Sequence, residues 1–196
     1  LGYTTPLWVA PAAVLLLCER LSRLKLAGMV TGLAGLIVLF NPAEFDWSRR
    51  ETLIGNGLLL LAAMLWSVTI LQLRGHRWHL SPLQLGPWQL LLASAIMIPT
   101  AWIAEGPFTA RWDGALIAVT AYNGIIGTAI SLWAATSAMR ALPAVTVSVG
   151  LLGAPVVAIA LSVALLGEAM TATLGTGVVL VLSGVALVAV AQGREN

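Results

Sequence analysis

The sequence predicts an all-α membrane protein with seven spans, and three observations carry that reading. The 196 residues are 59% hydrophobic and 9% charged, whereas an ordinary soluble domain is about a quarter charged. Apolar runs close to the roughly 20 residues that cross about 30 Å of hydrocarbon recur along the whole length. Lys and Arg alternate between connecting loops as they do in a chain that threads a bilayer. Helices are preferred to a barrel because these runs are continuously apolar, and because lipid offers backbone groups no partners outside a helix or a closed sheet.

In order, the spans fall at residues 4–18, 24–40, 53–73, 83–104, 112–139, 144–166 and 172–191. The first is the run that ends before Glu19. Ser22 can N-cap the second. The third runs to Arg74, and the fourth carries Trp102 near its end. The fifth opens at Trp112 and stops before Arg140. The sixth holds Pro155 about twelve residues in, roughly 18 Å at 1.5 Å per residue and so near mid-bilayer. Thr171 can N-cap the seventh, which leads into a tail at 192–196. Trp47, Trp78, Trp102 and Trp112 fall near span ends, where an amphipathic indole belongs.

Arg20, Arg23, Lys25, Arg74, Arg77, Arg140 and Arg194 collect on one side. Only Arg49, Arg50 and Arg111 fall on the other, with Glu44, Asp46, Glu51, Glu105, Asp113 and Glu168. The bias predicts a multi-pass protein with Leu1 outside and Asn196 in the cytoplasm. The chain begins with leucine on the approach to a span, with neither initiator methionine nor signal-peptide n-region, and reads as a fragment. The formal charge of +2 is too dispersed to hold a phosphate backbone, so no nucleic-acid partner is expected. Cys18 is the single cysteine, which excludes an internal disulfide and a cysteine-based metal site.

Sliding the chain along itself by 149 residues lays Pro6 on Pro155, Glu19 on Glu168, Gly28 on Gly177, Gly35 on Gly184 and Ser22 on Thr171, without a gap. Uncommon residues in register mark an internal repeat. Five spans separate the copies, and an odd number reverses direction, so the repeat is inverted. In secondary transporters such repeats place the substrate near the midplane, and alternating access rocks one half against the other.

Several stretches resemble the EamA-type branch of the drug/metabolite transporter (DMT) superfamily. "YTTPLWVAPAAVLLLCERLS" is similar to the end of the family's fourth helix, and "GLLGAPVVAIALSVALLGE" to its ninth. "YNGIIGTAISLWAATSAMRALPA" resembles the eighth helix and its exit loop, and "GNGLLLLAAMLWSVTILQLRG" the sixth. The resemblance spans essentially the whole chain. It implies a 5+5 inverted-repeat fold of ten helices lacking its first three here. Residues 1–41 would then be helices four and five of the first repeat, 42–52 an external linker, 53–191 the second repeat and 192–196 a cytoplasmic tail. It also implies efflux of amino acids, related metabolites or drugs across the cytoplasmic (inner) membrane.

The candidate substrate-binding residues are Trp66, Tyr122, Asn123, Trp133, Ser148, Pro155 and Pro6. Polar or amphipathic groups are expensive in apolar spans and mark pathways, which singles out Trp66, Tyr122, Asn123, Trp133 and also Gln89. The alternatives are interhelical hydrogen bonding and, for Trp133, an interface anchor. Pro155 removes a backbone hydrogen bond and would free the carbonyl of Leu151, which is tolerated at that depth only inside protein or beside a wet cavity. With Gly150, Gly153 and Ser148 it is the candidate cavity wall and hinge, against the alternative of a kink on a neighbouring helix. Pro6 is expected to act likewise.

Glu19 and Glu168 invite a proton-coupling role, but each lies in a tight hairpin where a carboxylate near the next helix N-terminus is an anchor. Gly28, Gly32, Gly35, Gly175, Gly177 and Gly184 are expected at close helix contacts, and "GMVTG" fits either internal packing or a homodimer. His76 and His79 form an H-x-x-H pair without a further ligand, so no metal and no cofactor are expected. No nucleophile stands beside a histidine and no carboxylates cluster, so the chain is not expected to be an enzyme. Two rivals remain: an intramembrane enzyme on lipid-linked substrates, which would have to use Glu19, Glu168 and the two histidines, and a fragment without transport activity.

Overall fold

The computed structural model describes residues 2–41, 49–106, 110 and 112–195. Trp47, Glu44, Asp46, Arg111 and the terminal Leu1 and Asn196, each used in the sequence reading, lie outside them. Among the described residues the regular structure is helical throughout. A 3-10 turn at Gly2–Thr4 leads into α1 (Thr5–Leu17), followed by α2 (Arg23–Phe40), α3 (Arg50–Gly75), α4 (Pro82–Glu105) and α5 (Gly114–Tyr122). A π-helix (Asn123–Ile130) joins α5 to α6 (Ser131–Ala141), and α7 (Ala144–Gly150), α8 (Gly153–Leu166) and α9 (Ala172–Glu195) complete the order. Among the described residues six stretches are long and apolar enough to cross a membrane, counting Gly114–Ala141 and Ala144–Leu166 as one each, and Gly2–Leu17 is a shorter apolar helix. This is a multi-pass membrane architecture, and every predicted span coincides with one of these stretches.

The helix starts follow from local chemistry. Ser22 Oγ accepts the Lys25 N–H at 3.4 Å, and Thr171 Oγ1 accepts the Leu174 N–H at 3.2 Å. Ser81 forms a full capping box with Gln84, in which each side chain accepts the other's backbone N–H, at 3.3 and 2.8 Å. Asp113 Oδ1 accepts the Leu116 N–H at 2.8 Å. Each residue satisfies a donor that a helix start leaves without a partner in the chain.

The chain forms two compact units. The first comprises Leu1–Gly75 with Leu142–Asn196. Its α2 and α9 run antiparallel and cross on glycines. A Cβ built on Gly28 would lie 2.6 Å from the Gly184 carbonyl oxygen, and one on Gly35 would lie 2.7 Å from the Val181 nitrogen and 2.9 Å from the Gly177 oxygen. Gly28 and Gly32 of the GxxxG pattern both face Gly184, so the pattern packs within the chain, as small residues do where lipid supplies no hydrophobic drive. Gly175 departs from expectation and has nothing within 4 Å. It stands two residues from Gly177, which on a helix turns it about 200° away from the contact. Lys25, counted from sequence among the positive charges of one side, is buried and ion-paired with Glu195, tying the start of α2 to the end of α9.

The core of this unit gathers around α7, which packs against α1, α2, α3 and α9. Ala144, Val145, Val147, Ser148 and Val149 are all buried. Pro6, Val9, Ala10 and Ala13 of α1 and Ala63, Ser67, Ile70 and Leu73 of α3 supply buried faces, at the three- and four-residue spacings of a helix stripe. The second unit, His76–Ala141, is built differently. Neither α4, α5 nor the π-helix buries a residue, and α6 buries only Thr136 and Met139.

Candidate functional site

Both predicted bend prolines are buried and sit just after a tight turn. Pro155 follows a break at Leu151 and Leu152 that separates α7 from α8. The Leu151 carbonyl is not left free, as the sequence reading expected: the Ala154 N–H takes it at 3.1 Å, a bond across three residues in place of the four-residue bond that proline abolishes. Pro6 follows the 3-10 turn Gly2–Thr4, and the Gly2 carbonyl, four residues before it, accepts the Thr5 hydroxyl at 3.2 Å. Gly2–Thr4 and residues 151–153 are themselves 149 apart, so the same device recurs at the repeat spacing.

Around these turns, Ser148 is fully buried and its hydroxyl donates to the Val145 carbonyl at 2.9 Å. Ser67 donates to the Ala63 carbonyl at 2.7 Å and reaches the Thr5 carbonyl at 3.5 Å, linking α3 to the start of α1. Trp66, next to it on α3, is 38% exposed. This unit therefore holds Pro6, Trp66, Ser148 and Pro155.

The second unit carries Tyr122, Asn123 and Trp133, all exposed. They flank the π-helix: Tyr122 precedes it, Asn123 opens it and Trp133 lies just beyond its end. The wider winding sends the Ser131 hydroxyl to the Ile126 carbonyl, five residues back, at 2.8 Å. π-Helical insertions recur at functional sites because they turn side chains off the regular helical stripe. Sequence reasoning chose residues at both edges of this segment but did not foresee its winding. Gln89 is also exposed, on α4.

Glu19 proves to be an anchor, but not in its own hairpin. Its Oε1 accepts the Ala144 N–H at 2.8 Å and its Oε2 the Val145 N–H at 3.4 Å, with Arg74 Nε 3.7 Å away. The first turn of α7 is buried, so its N–H groups cannot turn to water, and the carboxylate meets both that need and the positive end of the helix. Glu168 is exposed and has no hydrogen-bond or ion partner among the described residues. In the second unit Arg140 donates from Nη1 to the Leu80 carbonyl at 2.6 Å, and its guanidinium lies 5.0 Å from the Trp78 ring centroid. His76 packs edge-on against the same indole at 4.8 Å. Arg140, read from sequence as a topology charge, thus fastens the approach to α4.

Comparison with known proteins agrees with this architecture. Two relatives are an "Uncharacterized transporter YoaV" of Bacillus subtilis, 23% identical over 94% of this chain and 63% of that protein, and an "Uncharacterized transporter" of Clostridium kluyveri, 25% identical over 92% and 59%. The chain thus spans about 60% of the length of these curated relatives. A solved crystal structure shares the fold with a TM-score of 0.76 at 23% identity, over 97% of this chain and 66% of its own. Residues 53–190 match the EamA-like transporter family, and with seven-tenths of its length so matched the chain belongs to that family.

Proposed function

We propose that the protein works as a secondary transporter, exporting small organic metabolites such as amino acids or drug-like solutes. Residues 1–41 and 53–191 act as parts of two inverted repeats that open the path alternately to the two sides. The observation that carries the reading is the recurrence, 149 residues apart, of a proline set behind a tightened turn, in helices whose hairpins end alike. A turn of this kind is a natural place for a membrane helix to bend, and a pair in opposed copies suits a binding region that opens to one side at a time. Pro6 and Pro155 are the bends, Ser148 belongs to the wall, Trp66, Tyr122 and Trp133 each offer a flat face to apolar or aromatic solutes, and Asn123 offers a hydrogen-bonding amide. The excess of Lys and Arg in alternate loops supports a cytoplasmic-membrane location, with the tail after α9 in the cytoplasm and the segment before α1 outside.

The test is efflux from cells or vesicles carrying the protein expressed from its whole native gene, wild type and Trp66→Ala. Slower efflux at unchanged abundance is the expected result. Unchanged transport removes Trp66 from the pathway. Loss of transport on combined replacement of Glu19, Glu168, His76 and His79, at normal abundance, would count against an anchoring role and favour coupling by these groups.

A further inference from the structure

Hydroxyls on the apolar helices are commonly satisfied from within the helix. Thr31, Thr69, Thr100 and Thr176 each donate to the carbonyl four residues back, at 2.8 to 3.1 Å. Where α5 passes into the π-helix this pattern stops. Among the described residues neither the Thr120 hydroxyl nor the Asn123 side-chain amide has a hydrogen-bond partner, and both residues are exposed on a stretch apolar enough to cross a membrane. Asn123 lies nine residues past Gly114, roughly 14 Å at 1.5 Å per residue and so within the hydrocarbon. An open amide at that depth is costly beside lipid and tolerated beside a watered path. The amide is nonetheless seated. A Cβ built on Gly127 would lie 3.2 Å from Asn123 Oδ1 and 4.0 Å from its Cβ and Cγ, so the side chain lies back along the helix over the glycine. The other glycines of this unit, Gly86, Gly106, Gly114 and Gly124, have nothing within 4 Å. At the far end of the π-helix the Ser131 hydroxyl takes the Ile126 carbonyl at 2.8 Å while the Ser131 N–H goes to Thr128, so the wide winding satisfies its own exit. Asn123, Gly127 and Ser131, four apart on this winding, fall near one line, with Thr120 a turn before them.

A side-chain amide presents an acceptor and two donors side by side, so its complement is a planar group that accepts and donates in the same way. We infer that Asn123 and Thr120 form a reading site for solutes bearing a primary amide or a lactam edge, with Gly127 the positioning residue that seats the Asn123 side chain. The solute closes a hydrogen bond in each direction with the Asn123 amide, and the Thr120 hydroxyl, a turn away, serves a further polar substituent. Such a site selects by what a wrong solute leaves open: an analogue without the matching donor strands the Asn123 carbonyl where little water can replace it. The inference rests on the reading of the protein as a transporter of small organic solutes. It adds to that reading a polar requirement that flat aromatic faces do not supply.

The experiment uses the protein expressed from its whole native gene, in membrane vesicles, with its native cysteines replaced by serine. Thr120→Cys is a nearly isosteric reporter one turn from Asn123, and Ile125→Cys is a control on the opposite side of the helix. A charged methanethiosulfonate, which attacks from water, is expected to modify Thr120→Cys about tenfold faster than Ile125→Cys. Equal rates overturn the site. Benzamide is expected to slow the reaction at Thr120→Cys, whereas acetophenone, with a methyl in place of the NH2, leaves it unchanged. Protection by both or by neither overturns the amide reading. In the same reporter Asn123→Leu is expected to abolish protection, and Gly127→Ala to raise the half-protecting benzamide concentration about tenfold, each without changing the rate measured in the absence of benzamide. Protection equal to the parent in Asn123→Leu overturns the reading role, and in Gly127→Ala the seating role. Transport is decided apart from these results. Benzamide protection in a protein without efflux removes transport and keeps the binding site, while efflux with a reporter indifferent to benzamide overturns this inference alone.

Discussion

The α2–α9 crossing and helix α4 are both apolar enough to span a membrane, yet one is locked backbone to backbone and the other buries nothing within its unit. Hydropathy does not say which of them will pack, because in lipid a leucine gains little by leaving a lipid tail for another leucine. What separates them is the side chain at the contact. Gly28, Gly35, Gly177 and Gly184 let two backbones meet, whereas α4 presents Trp88, Leu91, Leu92 and Ile96 at more than half exposure. Apolarity puts a helix in the bilayer, and small residues decide which helix it joins there.

The comparison breaks most directly at Gly184. A Cβ there would lie 2.5 Å from the Gly28 oxygen and 2.5 Å from the Gly32 nitrogen, backbone atoms that cannot turn aside. Gly184→Ala is expected to cost about 3 kcal/mol, read as an earlier midpoint when the protein in mild detergent is titrated with a denaturing one. A midpoint equal to wild type would show that the crossing does not hold the unit together. Next comes Glu195→Ala, which leaves Lys25 buried without its carboxylate and is expected to cost about 2 kcal/mol, reduced from the fully buried case because Glu195 is partly solvated. Lys25→Met should cost less, since the remaining Glu195 can reach water; the reverse order in the same titration would contradict this account.

In the second unit the expected effects shrink. Ser81→Ala removes half of the α4 capping box and is expected to cost about 1 kcal/mol, with faster amide exchange confined to the first turn of α4. Smallest is Gly175→Ala, on the same helix as Gly184 but facing open space, which should stabilise by about 0.5 kcal/mol through lower backbone freedom in the unfolded chain. A loss as large as that at Gly184 would mean that glycine content, rather than glycine contact, governs α9.

These cases also mark what could be read from sequence. Span positions were legible because length and hydropathy are local properties, and the contact glycines because they recur in register. The caps at Ser22 and Thr171 needed only the three residues that follow them. Long-range pairings were not legible: Glu19 finds its partner 125 residues away and Lys25 its partner 170 away, and hairpin spacing says nothing of either. From sequence, Lys25 counts only as one of the positive charges that collect on one side. The Leu151 carbonyl was expected free because proline's effect was counted without the tightening of the turn that answers it. The π-winding at 123–130 left no local signature beyond its glycines, since it changes the fit of a helix to its surroundings rather than its composition.

The two proline turns, alike in outline, differ in how they latch. At the second, the Leu151 carbonyl is held by an amide that belongs to the chain itself and can leave only if the backbone moves. At the first, the Gly2–Thr4 turn is held by its own 3-10 backbone bonds, and the Gly2 carbonyl also accepts the Thr5 hydroxyl, a donor that alanine at 154 cannot supply. The first turn therefore carries a side-chain clasp that the second lacks, a second partner inside the chain for a carbonyl that lipid would leave unsatisfied.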